Sequence, residues 1–269
     1  MMKLSSHCID EKSIKLINKV FVTVQTSLGG FLNMAIDKFI FENFEKLTNE
    51  KAIFVRFYTF ANHTVTLGYF QNNIDQEIKN MYKKWAFVKR ITGGKAVFHY
   101  PKKDLTLCVV GSVDIIKDNT KHENISFQNM IKSIHKIFNE LLWNSITQTI
   151  DIENINIENI NFYEDKTQNK LTKFDCFKNV QAFEKEFNGK KVIGTAIKIS
   201  QFSNNPYNHK FILQANIKLQ NICPELNLPI KNKIIQNFLD HFDKIYHIEI
   251  KDLVNQFKKR LLLPATLGR

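Results

Sequence analysis

The chain has 269 residues, of which 43% are hydrophobic, and its formal net charge at neutral pH is +12. This length allows a sizeable core, and this apolar content excludes a chain that is disordered throughout. No segment reaches the roughly 18 consecutive apolar residues of a membrane-spanning helix, and the mixed polar and charged N-terminus argues against a signal peptide. We therefore expect a cytoplasmic protein with reduced thiols and no membrane partner.

The excess of basic residues favours an acidic partner, because opposite charges steer association. Nucleic acid and an acidic carrier protein are both candidates. The lysines are spread along the chain without a dense basic arm, and the phenylalanines form no pattern typical of an RNA-binding module. The sequence therefore favours a protein partner over nucleic acid, and a Lys-rich solvated surface is the remaining alternative.

In the first part of the chain, apolar periodicity predicts short strands around one long helix. The long helix follows the glycine pair Gly29-Gly30, which separates it from the first strand. The strand at 105–110 is a continuous apolar run, as expected for the centre of a sheet. The predicted elements are a strand at 20–25, a helix at 31–47, strands at 53–58 and 64–67 paired with each other, a helix at 74–84, and strands at 85–89 and 105–110.

The second part predicts helices around one hairpin, whose turn is the strong turn dipeptide Asn188-Gly189. Because strands and helices mix without a regular βαβ repeat, we expect an α+β fold with a mixed or antiparallel sheet flanked by helices. We place a catalytic domain at 1–219 and a small helical extension packed on it at 220–269. The predicted elements are a helix at 124–143, hairpin strands at 180–187 and 191–200, a strand at 211–219, helices at 230–242 and 251–262, and loops at 151–161 and 202–209.

Among the four cysteines, Cys176 has the context of a nucleophile. The others are Cys8, Cys108 and Cys223, and no Cys/His spacing typical of a metal site occurs. Cys108 lies in the apolar strand and is expected in the core. Downstream of Cys176, the hairpin brings Lys191 back, and a nearby cation favours the reactive thiolate. The alternative is a Lys191 that lies on an exposed strand face.

A second motif, Thr92-Gly93-Gly94, lies between two predicted strands. Glycines at such a position let the backbone approach a ligand closely, although an ordinary tight turn explains the dipeptide as well. The surrounding pattern is longer: LGYFQ at 67–71, KRITGGKAVFH at 89–99 and Leu105-Thr106.

Together with the segments 176–184 and 189–196, these blocks resemble the biotin/lipoate protein ligase and octanoyltransferase superfamily. Asn33, Ala35 and Asp37 match the Asn-x-Ala-x-Asp pattern of that superfamily's first helix. Within it, the chain most resembles the cysteine-dependent octanoyl-[acyl carrier protein]:protein N-octanoyltransferases. The resemblance covers residues 31–219 and implies a domain of the biotin/lipoate protein ligase catalytic type.

The resemblance implies an acyltransferase of protein lipoylation that needs neither a cofactor nor ATP. It would move an octanoyl or lipoyl group from an acyl carrier protein thioester, through a thioester on Cys176, to a lysine of a lipoyl-domain protein. Such acceptors are the glycine cleavage H protein and dehydrogenase E2 subunits. Lys191 would contact the acyl carbonyl. The residues that it implies for substrate binding are Arg90, Thr92, Gly93, Gly94, Lys95, Ala96, His99, Gly194, Thr195 and Ala196.

Several alternatives remain open from the residues. An ATP-dependent lipoate–protein ligase shares the glycine blocks, but the chain has Asp104-Leu105-Thr106 where such ligases have a Gly-Asn-Leu-Asn type of segment. An amidotransferase between two lipoyl domains would use the same thiol. His99 either orients a substrate or makes a structural hydrogen bond, and Arg90 and Lys95 are either ligand contacts or surface charges. Departures from the pattern occur at Val180-Gln181, Ile197 and Gln214-Ala215-Asn216.

Overall fold

A computed structural model describes residues 17, 19–25, 27–47, 52–113, 127–150, 174–176, 184–201, 209–223, 228–252 and 255. Its strands are β1 (Lys19–Val24), β2 (Ala52–Tyr58), β3 (Thr64–Leu67), β4 (Ala86–Lys89), β5 (Val97–His99), β6 (Leu105–Ser112), β7 (Lys185–Phe187), β8 (Lys190–Gln201), β9 (His209–Ile217) and β10 (Ile245–His247). Its helices are α1 (Gly30–Leu47), α2 (Gln76–Met81), α3 (Phe127–Thr149) and α4 (Leu228–Leu239), with a 3₁₀ turn at Leu219–Asn221.

Within these residues, the strands form one large sheet and one small sheet. The large sheet has the order β10-β1-β2-β6-β9-β8-β7. In it β1 runs parallel to β10 and β2, whereas the other neighbours are antiparallel. The central position of β6 confirms the prediction from its apolar run, and the sheet is mixed, as expected of the α+β class.

Helices cover both faces of the large sheet, which explains why β2 and β6 are buried along their whole length. Side chains of a strand alternate between faces, and in β2 Ile53, Val55 and Phe57 join one core whereas Phe54 and Tyr58 join the other. The first core includes apolar residues of α3 and α4, and the second includes those of α1. Cys108 is buried in the second core, as predicted.

The predicted pairing of 53–58 with 64–67 is wrong. β2 pairs with β1 and β6, whereas β3 pairs with β4 and β5 in the small sheet, of order β4-β3-β5. The short connection suggested a hairpin, but Phe60 in that connection forms a bridge with Leu28 and is fully buried. The chain therefore leaves the large sheet at Phe60 and starts a second one.

Near the C-terminus, α4 packs against α3, and β10 extends the large sheet beyond β1. The boundary at residue 219 stays a prediction. The predicted loops at 151–161 and 202–209 and the helix at 251–262 lie largely outside the described residues. The helix predicted at 74–84 is shorter and begins after Asp75, whose carboxylate accepts a hydrogen bond from the Glu77 N–H. Of the helices described, none has the length and apolarity to cross a lipid bilayer.

Candidate active site

The thiol of Cys176 lies beside the ammonium group of Lys191. The Nζ of Lys191 is 3.4 Å from the Sγ of Cys176 and donates to the Cys176 carbonyl oxygen at 3.0 Å. The Cys176 N–H donates to the Ala96 carbonyl at 2.8 Å, and Ala96 donates to the Phe174 carbonyl at 3.0 Å. A two-stranded bridge therefore ties the cysteine segment to the chain that follows the glycine turn.

Lys191 reaches the thiol from the second residue of β8, just after the tight turn of the β7–β8 hairpin. Asn188 and Gly189 have φ angles of 48° and 71°, a left-handed conformation that asparagine and glycine tolerate best. The side chain of Lys191 is buried, and its Nζ lies 2.7 Å from a carboxylate oxygen of Glu184. The alternative that Lys191 lies on an exposed strand face is therefore wrong.

The glycine turn is held in shape by Arg90, which is buried and is not a surface charge. Its Nη2 donates to the carbonyl oxygens of Gly93 and Lys95 at 2.6 and 2.7 Å, and its Nη1 donates to that of Thr66 at 3.0 Å. Its Nε donates to the Thr92 hydroxyl at 3.2 Å. One guanidinium thus satisfies carbonyls on both sides of the turn, a task that its fixed fork of donors suits well.

Two further features fix the glycine turn. Gly94 has a φ angle of +85°, which favours glycine, and a Cβ on Gly68 would lie 1.8 Å from the Gly94 carbonyl oxygen. Only glycine therefore fits at position 68.

Burial lowers the pKa of Arg90 to about 10, while the charge of the Cys176 thiolate acts in the opposite direction. Arg90 keeps its charge at neutral pH and lies within the electrostatic reach of the thiol.

A chain of buried hydrogen bonds connects the glycine turn to the large sheet. The Thr92 hydroxyl donates to Gln214 Oε1 at 2.7 Å, and Gln214 Nε2 donates to Asp37 at 2.6 Å. Asp37 also accepts from Tyr58 at 2.7 Å and from Arg56 at 2.5 Å. All five side chains are buried, and such a chain rigidifies the site because every unmade bond would be costly.

The Asn-x-Ala-x-Asp segment of α1 supplies part of this chain. Asn33 Oδ1 accepts from Arg56 Nη2 at 2.6 Å, and its Nδ2 donates to the carbonyls of Leu28 and Thr59, both at 3.1 Å. Asn33 and Asp37 are completely buried. The segment therefore joins α1 to β2, and these contacts are structural.

His99 has its ring nitrogens in hydrogen bonds on both sides. Nε2 lies 2.9 Å from the Thr66 hydroxyl, Nδ1 lies 3.1 Å from Asn216 Nδ2, and the ring stacks on Phe60. Burial lowers the pKa of His99 to about 4, and a hydrogen bond with Asp104 offsets that only in part. His99 is therefore neutral at physiological pH. Of the two predicted roles, His99 therefore makes structural hydrogen bonds, and its ring also lines a cavity beside Cys176.

A cavity opens next to Cys176, and its empty space of about 380 Å³ includes the part that is open to solvent. Half of the predicted substrate-binding residues line it together with Cys176. The other half belong to the glycine turn behind the wall: Thr92, Gly93, Gly94, Lys95 and Ala96. The predicted residues in the wall are Arg90, His99, Gly194, Thr195 and Ala196. Apolar and aromatic wall residues include Met34, Tyr58, Phe60, Val97 and Ala215.

Among the polar residues of this wall, Thr106 belongs to the matching sequence pattern and Gln214 and Asn216 to its departures, whereas Thr66 was not singled out from the sequence. Thr66, Thr106, Gln214 and Asn216 line the cavity, and all four lie on strands, at positions where alternation alone predicts core or surface. His135 of α3 was also missed, and its Nδ1 lies 2.8 Å from the Thr195 hydroxyl. Burial lowers the pKa of His135 to about 4, so the imidazole is neutral at physiological pH and forms a hydrogen bond with the Thr195 hydroxyl without a charge.

Comparison with known proteins identifies the family of the chain. A profile of the lipoyl protein ligase A/B catalytic domain matches residues 30–246. The chain belongs to this family. The match includes the glycine turn, Cys176, Lys191 and every strand of both sheets except β1, up to the middle of β10.

Two bacterial relatives are named octanoyltransferase LipM. The protein from Clostridioides difficile is 31% identical over 186 residues, which cover 67% of this chain and 60% of that protein. The protein from Carboxydothermus hydrogenoformans is 33% identical over 172 residues, or 63% of this chain and 56% of that protein. The match therefore spans less than two thirds of the length of either relative.

Solved structures share the fold. A putative lipoate protein ligase from Thermoplasma acidophilum, solved with bound lipoic acid, is 18% identical, with a TM-score of 0.52 over 91% of this chain and 95% of that one. Plasmodium falciparum LipL1 in complex with lipoate is 14% identical, with a TM-score of 0.55 over 90% of this chain and 70% of that one. These likenesses confirm the predicted catalytic-domain architecture.

Proposed function

We propose that this protein is an octanoyltransferase that moves an octanoyl or lipoyl group from an acyl carrier protein to the lysine of a lipoyl-domain protein. The group would pass through a thioester on Cys176. The observation that carries the proposal is the 3.4 Å approach of Lys191 Nζ to Cys176 Sγ at the wall of an apolar cavity. The LipM relatives support the reaction class.

In the first half-reaction, the Cys176 thiolate attacks the thioester carbonyl of the donor. The Sγ–C bond forms, the carrier's S–C bond breaks, and the carrier leaves as a thiolate that takes a proton from water. The negative charge that develops on the carbonyl oxygen lies near the Lys191 ammonium, which would stabilise it. One thioester replaces another, so this step is nearly balanced in free energy and needs no ATP.

In the second half-reaction, the neutral amine of the acceptor lysine attacks the Cys176 thioester. The N–C bond forms, the Sγ–C bond breaks, the amine releases a proton, and the thiolate returns. Because an amide is far more stable than a thioester, this step drives the whole transfer. The proposed acceptor is a lipoyl-domain protein such as the glycine cleavage H protein or a dehydrogenase E2 subunit, and the proposed compartment is the cytoplasm.

The cavity wall supports an acyl chain as the group that is carried. Met34, Phe60, Val97 and Ala215 present apolar surface, and burial of apolar surface is the main source of affinity for a hydrocarbon chain. His99 is neutral there, so it adds no charge that an acyl chain would have to desolvate. Cys176 lies in the same wall, so an acyl group attached to its sulfur would lie beside this apolar surface.

Intact-protein mass spectrometry tests the proposal. The full chain is incubated with octanoyl-acyl carrier protein without nucleotide, and the expected result is one octanoyl adduct that hydroxylamine removes and that apo lipoyl domain discharges. Cys176→Ala abolishes the adduct, whereas Cys223→Ser keeps it. Activity only with free octanoate, ATP and magnesium would establish a ligase instead. Transfer only from an octanoylated lipoyl domain would establish an amidotransferase.

A further inference from the structure

The ammonium of Lys191 has a carboxylate partner as well as the thiol. Glu184 Oε2 lies 2.7 Å from Lys191 Nζ, and the side chains of Glu184 and Lys191 are 4% and 0% exposed. Cys176 contributes two more contacts, through its carbonyl oxygen and its Sγ. Three acceptors thus surround a group with three N–H donors, and of these three only the carboxylate carries a charge when Cys176 is a thiol or a thioester.

The hairpin makes this pairing specific to Glu184. In the β7–β8 register, Lys191 lies opposite Glu186, which is exposed. The register shifts between Lys185 and Glu186, and such a bulge changes the face on which the preceding residues lie. Glu184, immediately before β7, is the glutamate whose carboxylate contacts Lys191, although strand pairing alone selects Glu186.

The charge at sulfur changes during the proposed reaction. In the free enzyme, a Cys176 thiolate compensates the buried ammonium of Lys191. In the acyl-enzyme, the sulfur is part of a neutral thioester and no longer does so. A buried ammonium without a counter-ion is strongly disfavoured and loses its proton or moves away. Some other anion has to hold Lys191 in place during the second half-reaction.

Resting on the function proposed above, we propose that Glu184 is a positioning residue that holds Lys191 charged and beside the thioester while the acyl group is on Cys176. In this role Glu184 acts through Lys191, whose ammonium its carboxylate contacts. Its contribution is consequently greatest in the transfer of the acyl group to the acceptor amine. Acylation of Cys176, in which the thiolate itself pairs with Lys191, depends on it less.

Single-turnover measurements on Glu184→Gln test this role. The substitution keeps the shape and an acceptor oxygen but removes the charge. The rate of transfer from the preformed acyl-enzyme to apo lipoyl domain is expected to fall on the order of tenfold or more, and acylation by octanoyl-pantetheine to fall several times less, so that acyl-enzyme accumulates. Glu184→Asp recovers part of the transfer rate. Glu186→Gln, which removes the same charge from the exposed residue opposite Lys191, keeps both rates.

Equal loss in both steps for Glu184→Gln, or no loss, overturns the proposal. Thermal unfolding provides a readout that does not depend on activity. Lys191→Ala removes the ammonium partner of the buried Glu184 carboxylate, so adding Glu184→Gln to it is expected to raise the melting temperature. A further decrease in the double variant contradicts the pairing. Absence of any octanoyl adduct on the wild-type chain refutes the proposed function instead, whatever the unfolding data give.

Discussion

The Nζ of Lys191 lies 3.4 Å from the Sγ of Cys176, and each group is fixed from a different side of the site. Cys176 is held by the bond of its N–H to the Ala96 carbonyl, next to the glycine turn. Lys191 is held by its place on β8 and by Glu184. Neither side chain therefore needs a large rearrangement to bring the cation and the nucleophile together.

Replacement of Lys191 by alanine is expected to slow both half-reactions. The ammonium would stabilise the carbonyl oxygen in each tetrahedral intermediate, and loss of one such donor costs about 10²- to 10³-fold in rate. Single-turnover acylation and transfer, each followed by intact mass, measure the effect. Lys190→Ala is the matched control, because side chains of consecutive strand residues point to opposite faces. Comparable losses in the two variants would show that Lys191 acts through net charge or folding.

The net charge of +12 predicts a salt-dependent encounter with the carrier. Acyl carrier proteins and lipoyl domains are usually acidic, and attraction between exposed charges is screened as the Debye length falls from about 10 Å at 0.1 M salt to about 3 Å at 1 M. The apparent second-order rate constant with octanoyl-acyl carrier protein is expected to fall across this range. Octanoyl-pantetheine, which lacks the acidic protein, serves as the control. Equal salt sensitivity of the two donors would show that the net positive charge does not attract the carrier protein and is only a solvated surface.

The buried position of Asp37 predicts a large stability effect. Its carboxylate accepts from Arg56, Tyr58 and Gln214, so Asp37→Ala leaves a buried guanidinium without its counter-ion. Breaking a buried pair in this way costs roughly 3–5 kcal/mol of the free energy of unfolding, which urea titration measures. Glu42→Gln breaks the exposed pair with Lys38 on the same helix and is expected to change nothing measurable. A similar small effect for Asp37→Ala would contradict the structural role of the network.

Periodicity and turn chemistry predicted most of the elements, because burial repeats along a helix or a strand in a regular way. The helix expected at 31–47 is α1 (Gly30–Leu47), and the Asn188-Gly189 turn joins β7 and β8. Periodicity along one segment does not identify the strand with which it pairs. The sequence of 53–58 indicated a strand but did not identify its neighbours, so the predicted pairing with 64–67 was wrong.

In the candidate site as well, some residues were recognisable from local sequence and others only from the contacts that the fold creates. Cys176 and Lys191 were found by their order and spacing, and these are local features. The role of Arg90 depends in part on the Thr66 carbonyl, 24 residues away in the chain. The role of Glu184 could not be read from strand alternation, because the register of the hairpin shifts before Glu186. Gln214, which links the glycine turn to Asp37, is 122 residues from Thr92 in the chain. No local pattern contains such a separation.

The neutral buried state of His99 predicts that the protein loses stability in mild acid. Burial lowers its pKa from 6.5 to about 4, so between these values the unfolded chain binds a proton that the folded protein does not. Stability is accordingly complete above about pH 6.5 and is lost as the pH falls toward 4, by a total on the order of 3 kcal/mol for this one group. Urea titrations of the wild type at several pH values between 4 and 7 measure this slope.

The variant His99→Gln isolates the contribution. Glutamine has no proton to gain in this range, so the free energy of unfolding of the variant, relative to wild type, is expected to improve as the pH falls from 6.5 to 4. Carboxylates titrate over the same range, but they do so in both proteins and cancel in the difference. His63→Gln is the control, because His63 is exposed and its loss should leave the slope of the wild type. If His99→Gln and wild type instead lose stability in parallel, the imidazole takes up its proton at the same pH in the folded and the unfolded protein, and the lowering of its pKa by burial is wrong.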